Sequence, residues 1–203
     1  KELNSDDHEN GTTHWYYANS KGEITIPTAD GEVGVVKTID GKSYLFNSDG
    51  EMVTGLRILT YDGSKITNIS SEVDSADTVK NMNSDTMKLV YFESNGAAKT
   101  GTTTITLDGT SYTFSFKSNG SPRGVGETGI SDGYIYQNGL RLTADEDTKY
   151  GVVTYKNESY VVNEKGSIQK NKKNLKDADE TYYCTNAKGI LLHSSTEKCT
   201  TKH

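Results

Sequence analysis

The residues that could do chemistry fall into three groups. Four histidines, His8, His14, His193 and His203, lie in or near the ends of the chain, and none sits in a recognisable nucleophile or metal motif. They read as solvated or edge histidines. Asp145, Glu146 and Asp147 form an acidic run that could ligate calcium with carbonyl help, but the spacing and closing glutamate of a calcium-binding hand are absent. That run reads as a solvated loop. The third group is aromatic: thirteen Tyr and one Trp. A flat ring stacks on the apolar face of a sugar while polar neighbours hold its hydroxyls, and Trp15, Tyr17, Tyr91, Tyr134, Tyr136, Tyr182 and Tyr183 are the candidates. The competing reading is that half or more of them pack between strands with the hydroxyl at the edge.

Those rings lie in repeated segments, and repeats decide the fold. A glycine following a short aromatic run recurs in WYYANSKG, YLFNSDG, VYFESNG, FSFKSNG, YIYQNG, YVVNEKG and YYCTNAKG, ending at Gly22, Gly50, Gly96, Gly120, Gly139, Gly166 and Gly189. Each copy carries hairpin chemistry. The β-prone residues 33–39, the Asp40-Gly41 pair and the returning residues 42–47 predict one hairpin. Residues 103–107, Asp108-Gly109 and 111–116 predict a second, and 151–155 with 159–162 a third around a longer loop at Lys156, Asn157 and Glu158. The segments before each anchoring glycine predict a second turn leading to the next unit.

Period-two alternation assigns the faces. Four and six residues before the glycine stand Phe46 and Tyr44, Phe92 and Val90, Phe116 and Phe114, Val162 and Tyr160, which predicts a core face. Five and seven before stand Leu45 and Ser43, Tyr91 and Leu89, Ser115 and Thr113, Val161 and Ser159, which predicts a wholly or partly exposed one. A lone hairpin is marginal in water, whereas hairpins stacked along an axis share a thin continuous core. The expected fold is therefore all-β, a solenoid of stacked β-hairpin repeats with loop insertions. Such an array offers no deep cleft in which a carboxyl pKa is raised for glycoside hydrolysis. No enzyme activity, cofactor or resident metal is expected.

Composition fits a thin core. Leu, Ile, Val and Phe supply 38 of 203 residues, just under the roughly 20% below which disorder is suspected, while the many Tyr and Gly and the two Pro argue for order. The net charge is −6. No basic cluster suits a phosphate backbone and no run approaches the roughly 18 apolar residues of a membrane helix, so nucleic-acid binding and membrane insertion are not expected. Residues 1–13 are expected to form a flexible tail, 14–193 the repeat array with an insertion near 64–88 holding a short helix or a long loop, and 194–203 a C-terminal tail. Cys184 lies in the last aromatic strand and Cys199 beyond it. A strand returning after Asn186 places Cys184 opposite residues near Leu191, so the two cysteines either stay apart or pair through a tail that folds back.

The segment GKSYLFNSDGEMVTGL at 41–56 resembles the repeat of the choline-binding and cell-wall-binding family of Gram-positive bacteria. WYYANSKG, SYVVNEKGSIQKNKK and YYCTNAKG are similar. The resemblance spans roughly residues 15–192, full over 34–56 and fair over 151–172, and related repeats occur in glucan-binding regions of secreted glucosyltransferases and in receptor-binding regions of clostridial toxins. It implies a secreted or cell-surface binding module. In choline-binding members, aromatic cages between hairpins hold a quaternary ammonium by cation–π attraction, with a Trp seven residues before the glycine. Here that position reads Trp15, Ser43, Leu89, Thr113, Ser159 and Tyr182, and Leu56 replaces the Trp that ends the repeat. Choline cages are thus mostly dismantled, and the net charge favours neutral glycans over anionic ones. The resulting expectation is a non-catalytic module that anchors its owner to a cell-wall polymer or other glycan through repeated weak sites. The alternatives are a protein-interaction or adhesion module that contacts a host or partner protein, and a structural spacer.

Overall fold

The computed structural model describes residues 13–120 and 123–200; His8, His203 and nearly all of the expected N-terminal tail lie outside them. The chain is all-β, and its described residues form stacked antiparallel hairpins with one short helix. Two compact units divide it, residues 1–127 and 128–203.

In the first unit, β1 (Gly34–Ile39) and β2 (Lys42–Asn47) form the hairpin predicted around Asp40-Gly41. Both turn residues have positive φ, 48° and 77°, which the right-handed strand twist demands of a two-residue turn and which Asp-Gly tolerates. β3 (Gly55–Asp62) pairs with β4 (Lys65–Ile69) and with β5 (Met87–Phe92), giving the sheet order β2-β1-β4-β3-β5. The polar stretch expected to hold a helix or a loop therefore supplies a strand as well as α1 (Ala76–Asn81). Ser75 caps α1, its side chain accepting from the Asp77 amide. β6 (Gly101–Leu107) and β7 (Thr110–Phe116) close the predicted hairpin at Asp108-Gly109.

The second unit opens with the short strands β8 (Gly129–Ser131), β9 (Tyr134–Gln137) and β10 (Leu140–Arg141). Gly139 thus ends a tight Asn138-Gly139 hairpin turn, with φ of 53° and 93°, and does not anchor a repeat. β11 (Tyr150–Tyr155) and β12 (Glu158–Asn163) follow. Their register pairs Tyr155 with Glu158, so the turn is the two residues Lys156-Asn157, both at positive φ, and not the longer loop expected at Lys156, Asn157 and Glu158. β13 (Leu175–Lys176), β14 (Tyr182–Thr185) and β15 (Leu191–Ser195) form a three-stranded sheet.

A recurrent turn links the hairpins. At Asn19, Asn47, Asn163 and Asn186 the side-chain Oδ1 accepts two backbone amides, two and four residues on. The same residue's carbonyl accepts from the anchoring Gly22, Gly50, Gly166 or Gly189. The chain then runs back along the strand it left, as at Phe46 opposite Met52 and Val162 opposite Ile168. Stacking has its own register in the first unit. Trp15, Ser43 and Leu89 carbonyls accept from the Met52, Ala98 and Gly126 amides of the following repeat, each at 2.8 Å.

This return segment overturns the predicted exposed face. Leu45, Leu89, Val161, Ser43 and Ser115 are buried, and only Tyr91, Thr113 and Ser159 stay half-covered. β2, β5, β7 and β12 are each flanked on both edges, by a partner strand and by the return segment. Leu45 accordingly joins Leu59, Ile66, Val90 and Phe92 in one core cluster, while Ile135, Ala144, Tyr160, Val162 and Ile168 form that of the second unit. The expected inner face holds at seven of its eight positions, with Phe46, Val90, Phe92, Phe114, Phe116, Tyr160 and Val162 buried, while Tyr44 is half-buried. Gly120, the fourth glycine of the series, is not an anchor either. Gly124 donates to the Lys117 carbonyl and the Lys117 amide to Val125, so this turn is four residues longer than its counterparts.

Candidate functional site

The first unit carries a feature that no single hairpin suggests, an open cleft of about 960 Å³. Its apolar floor comes from Val36 of β1 and Ile66 of β4, and its rim carries Glu32, Asp85, Lys88, Lys117 and Arg123. Tyr61 of β3 also lines it, with a buried hydroxyl that has no hydrogen-bond partner among the described residues; burial pushes its pKa up to about 12. Arg123 donates to the Gly41 carbonyl at 3.3 Å and Lys88 to the Ser84 carbonyl at 2.7 Å. Among the described residues, neither these two nor Lys117 lies within 4.0 Å of a carboxylate. The sequence signal for the cleft is Lys117, which stands where four other repeats hold the turn-capping Asn.

The seven aromatic candidates do not converge. Trp15 is the most open, 49% exposed, and its backbone is fixed by the Met52 amide. Tyr17 packs on Phe46 with ring centroids 6.2 Å apart, and Tyr91 on Phe116 at 6.4 Å. Tyr136 and Tyr183 are buried, and the Tyr183 hydroxyl donates to Asp177 at 2.7 Å. Tyr134 and Tyr136 lie beside each other, but Arg141 fills the space over them. Its guanidinium carbon is 3.8 Å from the Tyr134 centroid, and Nη2 donates to the Tyr136 hydroxyl at 3.0 Å. Register explains this, since Arg141 is the cross-strand partner of Tyr136. Tyr182 is flanked by the ammonium groups of Lys176 and Lys198, at 5.8 and 5.9 Å.

The remaining sequence candidates have local partners. His14 Nδ1 lies 2.9 Å from Glu51, and His193 Nε2 donates to the Glu197 carbonyl at 3.0 Å. Asp145, Glu146 and Asp147 are exposed, and Asp145 accepts through its backbone carbonyl from Thr148. Cys184 sits opposite His193 in β14–β15 and is disulfide-bonded to Cys199, with Cα atoms 6.6 Å apart. The tail folds back to make this bond, held by the Cys199 amide donating to Asn174 Oδ1 at 2.7 Å. No helix among the described residues is long and apolar enough to cross a membrane.

This chain has the choline-binding repeat fold, as its likeness to solved structures shows. Choline binding protein F of Streptococcus pneumoniae is similar over 89% of this chain and 45% of its own, at 21% identity and a TM-score of 0.50. The same protein solved in the presence of a tetrasaccharide-pentapeptide peptidoglycan analogue matches over 89% and 44%, at 22% identity and the same TM-score. CbpJ of Streptococcus pneumoniae TIGR4 matches over 90% and 64%, at 19% identity and 0.50. The chain thus spans less than two thirds of each, and at such identities the likeness is one of fold. No family model and no curated protein matches the sequence.

Proposed function

We propose that this chain is a non-catalytic module of a secreted or surface protein, which holds its owner to a cell-wall polymer or related glycan. The observation that carries this reading is the repeat fold holding Trp15 at the surface. It is the fold of choline binding protein F, which was solved in the presence of a peptidoglycan analogue. An exposed indole is a stacking platform for a sugar ring, and weak sites on one array gain avidity when a polymer engages several. Choline is the less favoured ligand. Ser43, Leu89 and Leu56, at three positions where cage Trp residues belong, are buried, and Arg141 already supplies the cation over Tyr134.

Affinity electrophoresis across solubilised peptidoglycan, starch, dextran and mucin tests the reading, with a choline resin alongside. Retardation by at least one polysaccharide is expected, reduced about fivefold by Trp15→Ala, the equivalent of about 1 kcal/mol. Retention on the choline resin without retardation by any glycan would overturn it.

A further inference from the structure

We propose that the cleft of the first unit is a binding site for a saccharide bearing a carboxylate, such as a uronic acid or a lactyl-substituted sugar. The proposal rests on the glycan reading above and gives it a ligand class. Size is the first argument, since about 960 Å³ lies at the upper end of the roughly 300–1,000 Å³ of ligand sites. The cleft is open, so a chain of sugars enters without being enclosed.

Charge is the second argument. The chain as a whole carries −6, yet Lys88, Lys117 and Arg123 line this cleft together without a carboxylate partner among the described residues. Their described bonds are to neutral carbonyls, which leaves Arg123 with free donors for a planar carboxylate. Glu32 and Asp85 on the same rim are acceptors suited to sugar hydroxyls, and the half-buried Val36 offers apolar surface to the C–H face of a ring. The lining thus holds three cations against two carboxylates, so that here, unlike on the chain as a whole, a carboxylate-bearing sugar has the advantage over a neutral one.

The repeat pattern also breaks at this cleft. Asn caps the linking turn at four repeats, and at Glu93 the turn is capped instead by Asn95, whose side chain accepts from the Ala97 amide. At the cleft, Lys117 replaces the capping Asn and the turn gains four residues, bringing in Arg123. A repeat that gives up a local stabilising device for two cations at the mouth of a cleft carries the mark of a functional site.

The test compares two tetrasaccharides that share N-acetyl groups and differ in carboxylates: a hyaluronan tetrasaccharide and chitotetraose. Titration calorimetry of the whole chain at about 20 mM and 200 mM salt is expected to show the hyaluronan fragment about tenfold tighter at low salt. The gap narrows at high salt and closes in the exposed double variant Lys117→Ala/Arg123→Ala, whose fold is checked by circular dichroism. Equal affinity for the two, or a preference that survives in the double variant, overturns the carboxylate site while leaving glycan binding intact. Failure of both to bind overturns the carboxylate site, and together with a negative polysaccharide panel removes the glycan reading as well.

Discussion

Replacing Asn163 by Ala removes one side-chain oxygen and two hydrogen bonds. Its Oδ1 accepts from the Lys165 amide at 3.1 Å and the Ser167 amide at 2.8 Å, while its backbone keeps the bonds with Gly166 and Ser167 that close the turn. Each such bond contributes a net ~0.5–1.5 kcal/mol. Lys165 is exposed, so water takes over its amide, whereas Ser167 is half-buried. The expected cost is about 1–2 kcal/mol, on the scale of a lost helix cap. Asn163→Asp is the control, because a carboxylate retains the acceptor and the Asn163 Nδ2 group has no described partner, unlike that of Asn47, which donates to Glu51 at 3.1 Å. Urea unfolding of the whole chain, followed by circular dichroism at neutral pH, should show a lower midpoint for Ala, near wild type for Asp, with unchanged m. The exposed equivalent Asn19 should cost only a few tenths of a kcal/mol. Equal loss in the Ala and Asp variants, or no loss in Ala, refutes the claim that the side-chain oxygen holds these turns.

Reduction of the disulfide, or Cys199→Ser, opens a loop with 15 residues of separation, expected to cost ~3 kcal/mol in comparative melts with and without reductant. Gly109→Ala adds a methyl group to open space at φ 76° and should cost ~1–2 kcal/mol for the left-handed backbone. Gly124→Ala should cost at least ~1 kcal/mol more, because its Cβ falls 2.8 Å from the Lys99 carbonyl oxygen as well as from Ala98 Cβ; paired urea curves decide. Three tyrosines have pKa values raised to about 12: Tyr61 by burial, Tyr160 chiefly by its bond to Glu158, and Tyr183 by burial and its bond to Asp177. Unfolded tyrosines ionise near 10, so the stability these groups contribute is intact below about pH 10 and falls between 10 and 12. Ultraviolet titration of phenolate absorbance should show at least three late-ionising tyrosines.

Hairpins with Asp-Gly turns were legible in the chain because the turn chemistry is local, and the inner-face aromatics because alternation is local too. Three features depend on contacts between segments and were not. The second face of each returning strand is covered by the segment after the turn, so Leu45 and Leu89 are core despite sitting at positions that alternation assigns to the outside. Lys156-Asn157 makes a tight turn without glycine because pairing of Tyr155 with Glu158 fixes its length. Arg141 covers Tyr134 only because cross-strand register sets it opposite Tyr136, seven residues of sequence from the ring it faces. The cleft is hidden for a similar reason, its cations coming from β5 and from the turn after β7. The one visible clue was the loss of the capping Asn at Lys117.

Binding of cell-wall glycan by the repeat array is tested most directly by co-sedimentation with purified insoluble peptidoglycan. Saturable pelleting of the whole chain, competed by soluble peptidoglycan fragments and weakened by Trp15→Ala, is the expected result. A chain that stays in the supernatant at all peptidoglycan loads, with wild type and variant alike, would contradict it.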